Sequence, residues 1–458
     1  MNTAVTTPNL ILNRITTLLD RYPEVRRLIV GYSGGVDSHV LLHLLASHRS
    51  YWPERTLEAV YIDHRLQPAS AAWGEQCADR CHELNIPFRA LRVNAQPQPG
   101  ESPEAAARRA RYTAFAAGLA ADAALLTAHH RDDQAETVLL QWLRGAGPHG
   151  RAAMPAAARL GRGWLLRPVL DIDRADLLAY ARTYGLCWIE DASNADSDFD
   201  RNYLRHHILP LLRERWPAAT RTLARSAQWC AETADWLDAE ADADLVRVVM
   251  TRPDGLQLPA LRELSELRQR NLVRRWLRRL NLPVPTARQL ARLLHDVLTA
   301  GRDRQPWIRW PGGEVRRYRD ALYAMPPLLA HDPGQSFGWQ SKAGDAWPPL
   351  ALPGIGRLQW QKTVGAGLSA IALIDATLTV RFRQGGEHFQ PVGRHHSQEL
   401  KKLLQEAGIP PWARERLPLL YREERLLAVV GLGVAAGFTA APDETGWQPV
   451  LTALSATE

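Results

Sequence analysis

An α/β fold with a parallel sheet is the class that residues 1–215 predict, followed by a helical domain and a small α+β C-terminal domain. Three observations carry this. Before residue 145, short apolar runs alternate four times with stretches of helical length, the pattern of βαβ units with helices on both faces of a sheet. From about 216 to 304 the strand signal disappears and an Arg-, Leu- and Ala-rich helical periodicity replaces it. After about 350, strand-like runs return around one helix. The expected domains are therefore 1–215, 216–330 and 351–458, with 331–350 as a linker.

The elements follow in order. RRLIVGYS is a buried strand, closed by the turn Gly34-Gly35 and followed by the apolar helix VDSHVLLHLLASH. LEAVYID is a second strand, a helix runs from roughly Ser70 to Leu84, and PFRALRV is a third strand. The helix SPEAAARRARYTAFAAGLAA opens with Ser102 as cap and Pro103 in the first turn, where a missing N–H costs nothing. ADAALLTAH gives the fourth strand, DDQAETVLLQWLRG a helix stopped by Gly145, and WLLRPVL with DRADLLAYARTYG a last unit. RQRNLVRRWLRRLN and TARQLARLLHDVLTAG are the clearest helices of the middle region. WIRWPGGEVRRYRDALYAM reads as a hairpin turning at Pro311-Gly312-Gly313. HDPGQSFGWQSKAGDAWPP is aperiodic and turn-rich, hence the linker. Ser397 is placed to cap the C-terminal helix LKKLLQEA, which Gly408 and Pro410-Pro411 end.

Composition narrows the class. The 458 residues exceed one ordinary core. No segment approaches the roughly 18 apolar residues of a membrane span, and the N-terminal stretch lacks a signal-peptide pattern, so the cytoplasm is expected. A net charge of +7 and a pI near 9.4 suit a polyanionic partner. Of the 56 basic residues only Lys342, Lys362, Lys401 and Lys402 are lysine. No lysine of the first two-thirds is therefore available to grip a phosphate. Cys77 and Cys81 lie one helical turn apart with no matching Cys/His pair, which favours two small buried residues over a metal site.

Ser33-Gly34-Gly35-Val36-Asp37-Ser38 joins the first strand to the first apolar helix of the sheet. Unpaired N–H groups and the positive end of the dipole make such a position an anion site. The glycines permit positive φ and close approach of backbone to phosphate, and Ser33 and Ser38 add hydroxyls. Asp37 would repel phosphate unless it coordinates Mg²⁺. Neither the Walker A pattern nor G-x-G-x-x-G is present. SGGVDS resembles the PP-loop of the N-type ATP pyrophosphatases. The resemblance implies a PP-loop ATP pyrophosphatase domain that uses ATP and Mg²⁺, grips the β- and γ-phosphates, and adenylates its substrate.

Further stretches narrow the resemblance: PEAAARRARY, TAHHRDDQAETVLLQWLRGAGPHGRAAM, EDASNADSDFDRNYLRHHILPLL and VRFRQGGEHFQPVGRHHSQELKKLLQEAGIPPWARERLPLLY. Together they resemble the tRNA(Ile)-lysidine synthetase family in its long form. That implies ligation of free L-lysine to the wobble cytidine of a CAU-anticodon isoleucine tRNA, through an adenylated cytidine. The resemblance allows a homodimer and involves no membrane. It places Ser33 to Ser38, His64 and His129 at ATP, and Asp133 (with Asp37 a candidate Mg²⁺ ligand) and Glu136 at metal and lysine. Arg108 and Arg111 would line the active site, although a solvated helix face explains either one nearly as well. The loop bearing Asp191, Asn194, Arg201, Asn202 and Arg205 would close over ATP and the flipped cytidine. Arg381, Arg383, Arg394, Lys401, Lys402, Arg414 and Arg416 would meet tRNA phosphates. Arg65 departs from the family pattern, which usually has glycine after the histidine at His64.

Rival readings lack residues they need. Thiolation enzymes of the superfamily typically carry a C-x-x-C pair, and Cys77 and Cys81 are one residue too far apart. An amidotransferase would need a glutaminase domain with a nucleophilic cysteine, and none is visible.

Overall fold

The computed structural model describes residues 7–65, 67, 69–97, 101–191, 195–250, 255–301, 304–340, 347–373 and 377–452. The chain divides into two compact units, residues 1–239 and 240–458.

The first unit is built on a six-stranded sheet of β1 (Arg27–Gly31), β2 (Thr56–Asp63), β3 (Phe88–Arg92), β4 (Ala123–Leu126), β5 (Ala157–Leu160) and β6 (Gly163–Leu166). Its order is β3-β2-β1-β4-β6-β5, parallel except for the edge hairpin β5–β6. The period-two rule puts successive β1 side chains on opposite faces. Leu28 and Val30 enter one core with α1 (Thr7–Leu19), α2 (Val36–Ser47) and the later helix Arg174–Thr183. Ile29 enters the other with Phe115 and Leu119, at the end of the helix opened by Ser102. Both faces are covered, which is why the strands read as continuous apolar runs. Apolar residues surround α2 almost completely for the same reason.

The helices α3 (Ser70–Glu83), α4 (Pro103–Gly118) and α5 (Arg131–Leu143) occupy the stretches where periodicity places them. Ser102 caps α4 by accepting from the Ala105 N–H at 3.2 Å, and Gly145 takes φ +67 just past α5. After β3 the chain returns to place β4 against the free side of β1. The carboxyl ends of β1 and β4 thus flank the switch point, where open α/β sheets bind ligands. Two candidate segments, SGGVDS and His129-His130, leave the sheet there.

The second unit departs from expectation in three places. The helical region also contains β7 (Val249–Met250) and β8 (Gly255–Gln257). They extend the predicted hairpin of β9 (Trp307–Trp310), β10 (Gly313–Tyr318) and β11 (Ala321–Met325) into a five-stranded antiparallel sheet. Strands of two and three residues are too short to show alternation. Within 331–350, read as linker, Ser336–Gln340 pairs antiparallel with Thr377–Arg381 and buries Trp339. The turn residues around it mask that strand in the sequence. Ser397 does not cap the helix Leu400–Glu406: a two-residue strand, Gln398–Glu399, intervenes and Glu399 takes the cap position. Gly408 ends the helix region at φ +72, as expected. No described helix is long and apolar enough to cross a membrane.

Candidate active site

The loop after β1 is held by its own hydroxyls. Ser38 Oγ donates to the Gly35 carbonyl at 3.0 Å and lies 3.1 Å from Ser33 Oγ. The Ser33 and Gly35 N–H groups lie 3.3 and 3.4 Å from the Ser38 and Ser33 hydroxyls. Only one glycine is demanded by backbone conformation. Gly34 has φ +80, whereas Gly35 caps α2 in extended geometry with φ −70. The value of Gly35 is the open approach it leaves, since a Cβ there would meet nothing closer than Ser33 Oγ at 3.6 Å. Gly34 is also packed from behind. A Cβ would fall 2.4 Å from Ile189 Cδ1 and 3.0 Å from Cys77 Sγ, and the Gly34 carbonyl accepts from the Ile189 N–H at 2.9 Å. Cys77 and Cys81 are thus buried free thiols on α3, with Cys77 supporting the loop. Gly34→Ala is expected to destabilise the protein by at least about 1–2 kcal/mol through backbone strain alone. Urea unfolding checks this, and an unchanged midpoint would contradict it.

Asp37 sits in the first turn of α2. Its Oδ2 lies 3.5 Å from His130 Nε2, while its Oδ1 is buried and accepts no hydrogen bond. A buried carboxylate oxygen without a partner is the donor type Mg²⁺ takes, so Asp37 fits the expected ion. Asp133 fits less well, because both its oxygens are engaged. Oδ2 accepts from the His130 backbone N–H at 3.0 Å and lies 3.4 Å from His130 Nε2, and Oδ1 lies 3.0 Å from Arg205 and 3.5 Å from Arg201. Among the described residues no cluster of three or more His, Cys, Asp or Glu has metal-holding geometry.

The start of α5 therefore carries a charge cluster. His130 caps the helix reciprocally with Asp133. Burial opposes a charged His130, but Asp133 and Asp37 outweigh it and raise its pKa. Burial likewise opposes ionised Asp133, yet His130 and Arg201 hold it near 2. The sign is that of a depressed carboxylate. Its stabilisation is complete above the ordinary value of 3.8 and is lost as the pH falls towards about 2. Asp133→Asn should remove that part of the acid unfolding transition, and an identical acid profile in the variant would contradict it. Glu136 has no exposed surface. Its carboxylate receives Arg201 Nε at 2.8 Å, Arg205 Nε at 2.7 Å and Arg205 Nη2 at 3.0 Å. Expected at lysine or metal, Glu136 does not reach the cavity surface. It anchors the two arginines instead, with Arg205 carried on a π-helical turn, Leu204–Ile208.

These groups border a cavity of about 760 Å³. Ser33, Gly35, Asp37, Ser38, His64, Arg108, Arg111, His129, Asp133, Asp191, Arg201, Asn202 and Arg205 all line it. Asn194 lies outside the described residues. His129 is kept neutral, its pKa lowered to about 3 chiefly by burial, and Thr127 Oγ1 fixes its ring at 2.8 Å from Nδ1. Burial also lowers His64 to about 4, and its Nδ1 has no partner. Arg65 adopts φ +55, the conformation glycine favours, and its N–H donates to Asp63 Oδ1 at 2.9 Å. The Asp63 carboxylate supports a turn that glycine would enter without strain. Among the wall residues that sequence reasoning left without a role are Tyr112, Ile189 and Phe199. Tyr112 had a readable signal, its i+4 spacing from Arg108, whose guanidinium lies 5.0 Å from the ring centroid.

A PP-loop domain model matches residues 9–212, which contain the whole cavity. In the second unit, models described as the TilS substrate binding domain and the TilS substrate C-terminal domain match 256–323 and 378–451. A tRNA(Ile)-lysidine synthase of Coxiella burnetii is 43% identical over 444 residues, covering 97% of this chain and 96% of that protein. One from Alkalilimnicola ehrlichii is 45% identical over 414 residues, covering 90% and 91%. A third, from Methylococcus capsulatus, is 41% identical over 426 residues, covering 92% and 96%. The chain belongs to the tRNA(Ile)-lysidine synthase family. It is accordingly an ATP-using ligase on a PP-loop domain.

The expected basic surface of this lysidine synthase family member divides sharply. Lys401 and Lys402 are exposed on the helix Leu400–Glu406. Arg381 pairs with Glu424 at 2.9 Å, Arg394 with Glu406 at 2.7 Å, and Arg383 lies 3.7 Å from Glu387. Arg414 is buried, donating to the Ile409 carbonyl at 2.7 Å and the Tyr318 hydroxyl at 2.8 Å. Arg416 donates to the Gly354 and Leu329 carbonyls. Arg414 and Arg416, expected to meet phosphates, are instead spent on internal carbonyls and a phenol. An Arg-rich sequence does not distinguish the two uses.

Proposed function

We propose that this chain ligates free L-lysine to C2 of the wobble cytidine of a CAU-anticodon isoleucine tRNA. The observation that carries the reading is the cavity at the β1/β4 switch point, where PP-loop hydroxyls and N–H groups face an arginine- and histidine-lined wall. The loop and the N-terminus of α2 favour the β- and γ-phosphates, leaving the α-phosphorus towards the cavity. Cytidine O2 attacks that phosphorus, a P–O bond forms and pyrophosphate leaves. The lysine ε-amine, deprotonated, then attacks C2, and AMP departs with the former O2. Two protons are shed overall, one from the ammonium and one from the nitrogen that becomes bonded to C2.

The wall residues have parts in this. Neutral His129 and His64 present imidazoles that can accept hydrogen bonds from the substrates without adding charge to the wall. Asp133 is the ionised group facing the cavity that suits a lysine ammonium, while Glu136 holds Arg201 and Arg205 beneath it. Arg108 and Arg111 supply forks for phosphate or the lysine carboxylate. Asp37 would hold Mg²⁺, whose charge would offset that of the leaving pyrophosphate. ATP, lysine and tRNA meet in the cytoplasm, the setting we assign.

Incubation with α-³²P-ATP and tRNA, without lysine, tests the order of events. Label should enter the tRNA and be released as AMP when lysine is added. Label on lysine or on the protein would contradict the scheme. For the tRNA surface, Lys401→Gln with Lys402→Gln should reduce the salt slope of tRNA binding by about 2, one per phosphate contact. An unchanged slope would remove these lysines from the interface.

A further inference from the structure

Three arginines are more than nine-tenths buried in the described residues: Arg167, Arg317 and Arg414. Arg317 spends its guanidinium on the carbonyls of Val297, Ala300 and Arg319, the first two at the C-terminal end of the helix Ala287–Thr299. Arg414 spends its own on a carbonyl and a phenol. Both sit far along the chain from the catalytic cavity. Arg167 differs in position and in satisfaction. It is the first residue after β6, at the carboxyl edge of the sheet, in register with the residues that lead from β4 to His129. Nη1 donates to the Pro155 carbonyl at 2.7 Å, while Nε is buried with no partner.

No described carboxylate forms an ion pair with Arg167. Its charged neighbour is another cation, Arg108, and the Tyr112 hydroxyl lies beside it. Burial, followed by the opposing effect of Tyr112 and then repulsion from Arg108, leaves its pKa below the ordinary arginine value. Arg167 also acts on His129, helping burial to keep that ring neutral. The cavity's arginines therefore fall into two groups. Arg201 and Arg205 are neutralised by Asp133 and Glu136. Arg108 and Arg111, with Arg167 behind them, form no ion pair among the described residues. A buried cation without a counter-charge is strongly unfavourable, and its field is screened by salt far less than that of a surface charge.

We infer that Arg167 is an electrostatic positioning residue of the reaction: a buried cation behind the Tyr112–His129 wall whose missing counter-charge is the phosphate of the bound adenine nucleotide. Arg167 does not itself line the cavity. It acts through the wall by holding Tyr112 in place and by making the potential at His129 more positive. The apo protein carries the cost of the unpaired charge, and binding of the polyanion relieves it. This rests on the nucleotide-activating reading proposed above.

The arrangement makes stability and function respond in opposite directions, which a merely structural arginine would not do. Full-length wild-type, Arg167→Met and Arg167→Lys are compared by thermal unfolding with and without ATP and Mg²⁺, and by tRNA-dependent pyrophosphate release. Arg167→Met should unfold at the same or a higher temperature than wild type without nucleotide. It should lose most of the ATP-induced rise in unfolding temperature and release pyrophosphate at least tenfold more slowly. Arg167→Lys, which keeps the charge, should recover part of both nucleotide effects. Arg167→Met that unfolds several degrees earlier but keeps the full ATP-induced rise would overturn the inference, assigning Arg167 to the fold. Equal ATP response and rate in all three proteins would overturn it too. Wild type without any ATP response would instead remove the nucleotide-activating reading on which it rests, and the inference with it.

Discussion

Asp37→Ala is expected to slow pyrophosphate release by about 10²–10³-fold, the range for losing one preorganised electrostatic group at a developing charge. The expectation follows from position. Asp37 is in the first turn of α2, where the dipole and open N–H groups draw phosphate, and a carboxylate there opposes that anion. Its Oδ1 is nonetheless buried and accepts no hydrogen bond, while Oδ2 lies 3.5 Å from His130 Nε2. Such an oxygen is suited to a cation that accompanies the nucleotide. Affinity for tRNA should change little, because a carboxylate in the nucleotide loop is not a group that binds RNA phosphates. A variant that releases pyrophosphate normally, or that loses tRNA binding instead, would show that Asp37 has another task.

Glu136→Ala should cost about 3–5 kcal/mol of folding stability, the usual penalty for removing one partner of a buried ion pair. Glu136 is fully enclosed, and Arg201 and Arg205 are largely covered and aimed at it. Without it, two guanidiniums would share Asp133 alone. Denaturant unfolding of Glu136→Ala and of the milder Glu136→Gln measures this, with KM for lysine as the second readout. Lost stability, together with a lowered kcat from misplaced Arg201 and Arg205, is the expected outcome. A raised KM for lysine at unchanged stability would return Glu136 to the lysine site.

The contrast between Glu136 and Asp133 shows where the sequence ceases to be legible. Their i, i+3 spacing correctly puts both acids on one side of α5. Spacing along one helix does not reveal that Arg201 and Arg205, some 70 residues later, come back to fill the pocket between them. The PP-loop was readable because its chemistry is local: strand, turn, hydroxyls and helix start lie within a dozen residues. The parallel sheet was readable because covering both faces forces apolar runs. Its edge strand β5 and the short strands β7 and β8 were not, since four residues or fewer carry little periodicity.

Arginine was the least legible residue type. Arg414 and Lys401 lie within one basic stretch, yet one is interior and the other exposed. Only tertiary partners, Tyr318 for Arg414 and Tyr112 beside Arg167, distinguish a structural guanidinium from a functional one. Arg65 shows the reverse case. Arg65 stands where the family pattern has glycine, yet it takes the left-handed conformation with help from Asp63.

The central claim, lysine transfer to one tRNA, is tested most directly by incubating the full-length protein with ATP, Mg²⁺, radiolabelled lysine and total bacterial tRNA. Label should enter a single species, an isoleucine tRNA with a CAU anticodon, in an alkali-stable nucleoside, and should not enter when ATP is withheld or Asp37→Ala is used. Label in no RNA, or spread over many tRNAs, would contradict the assignment.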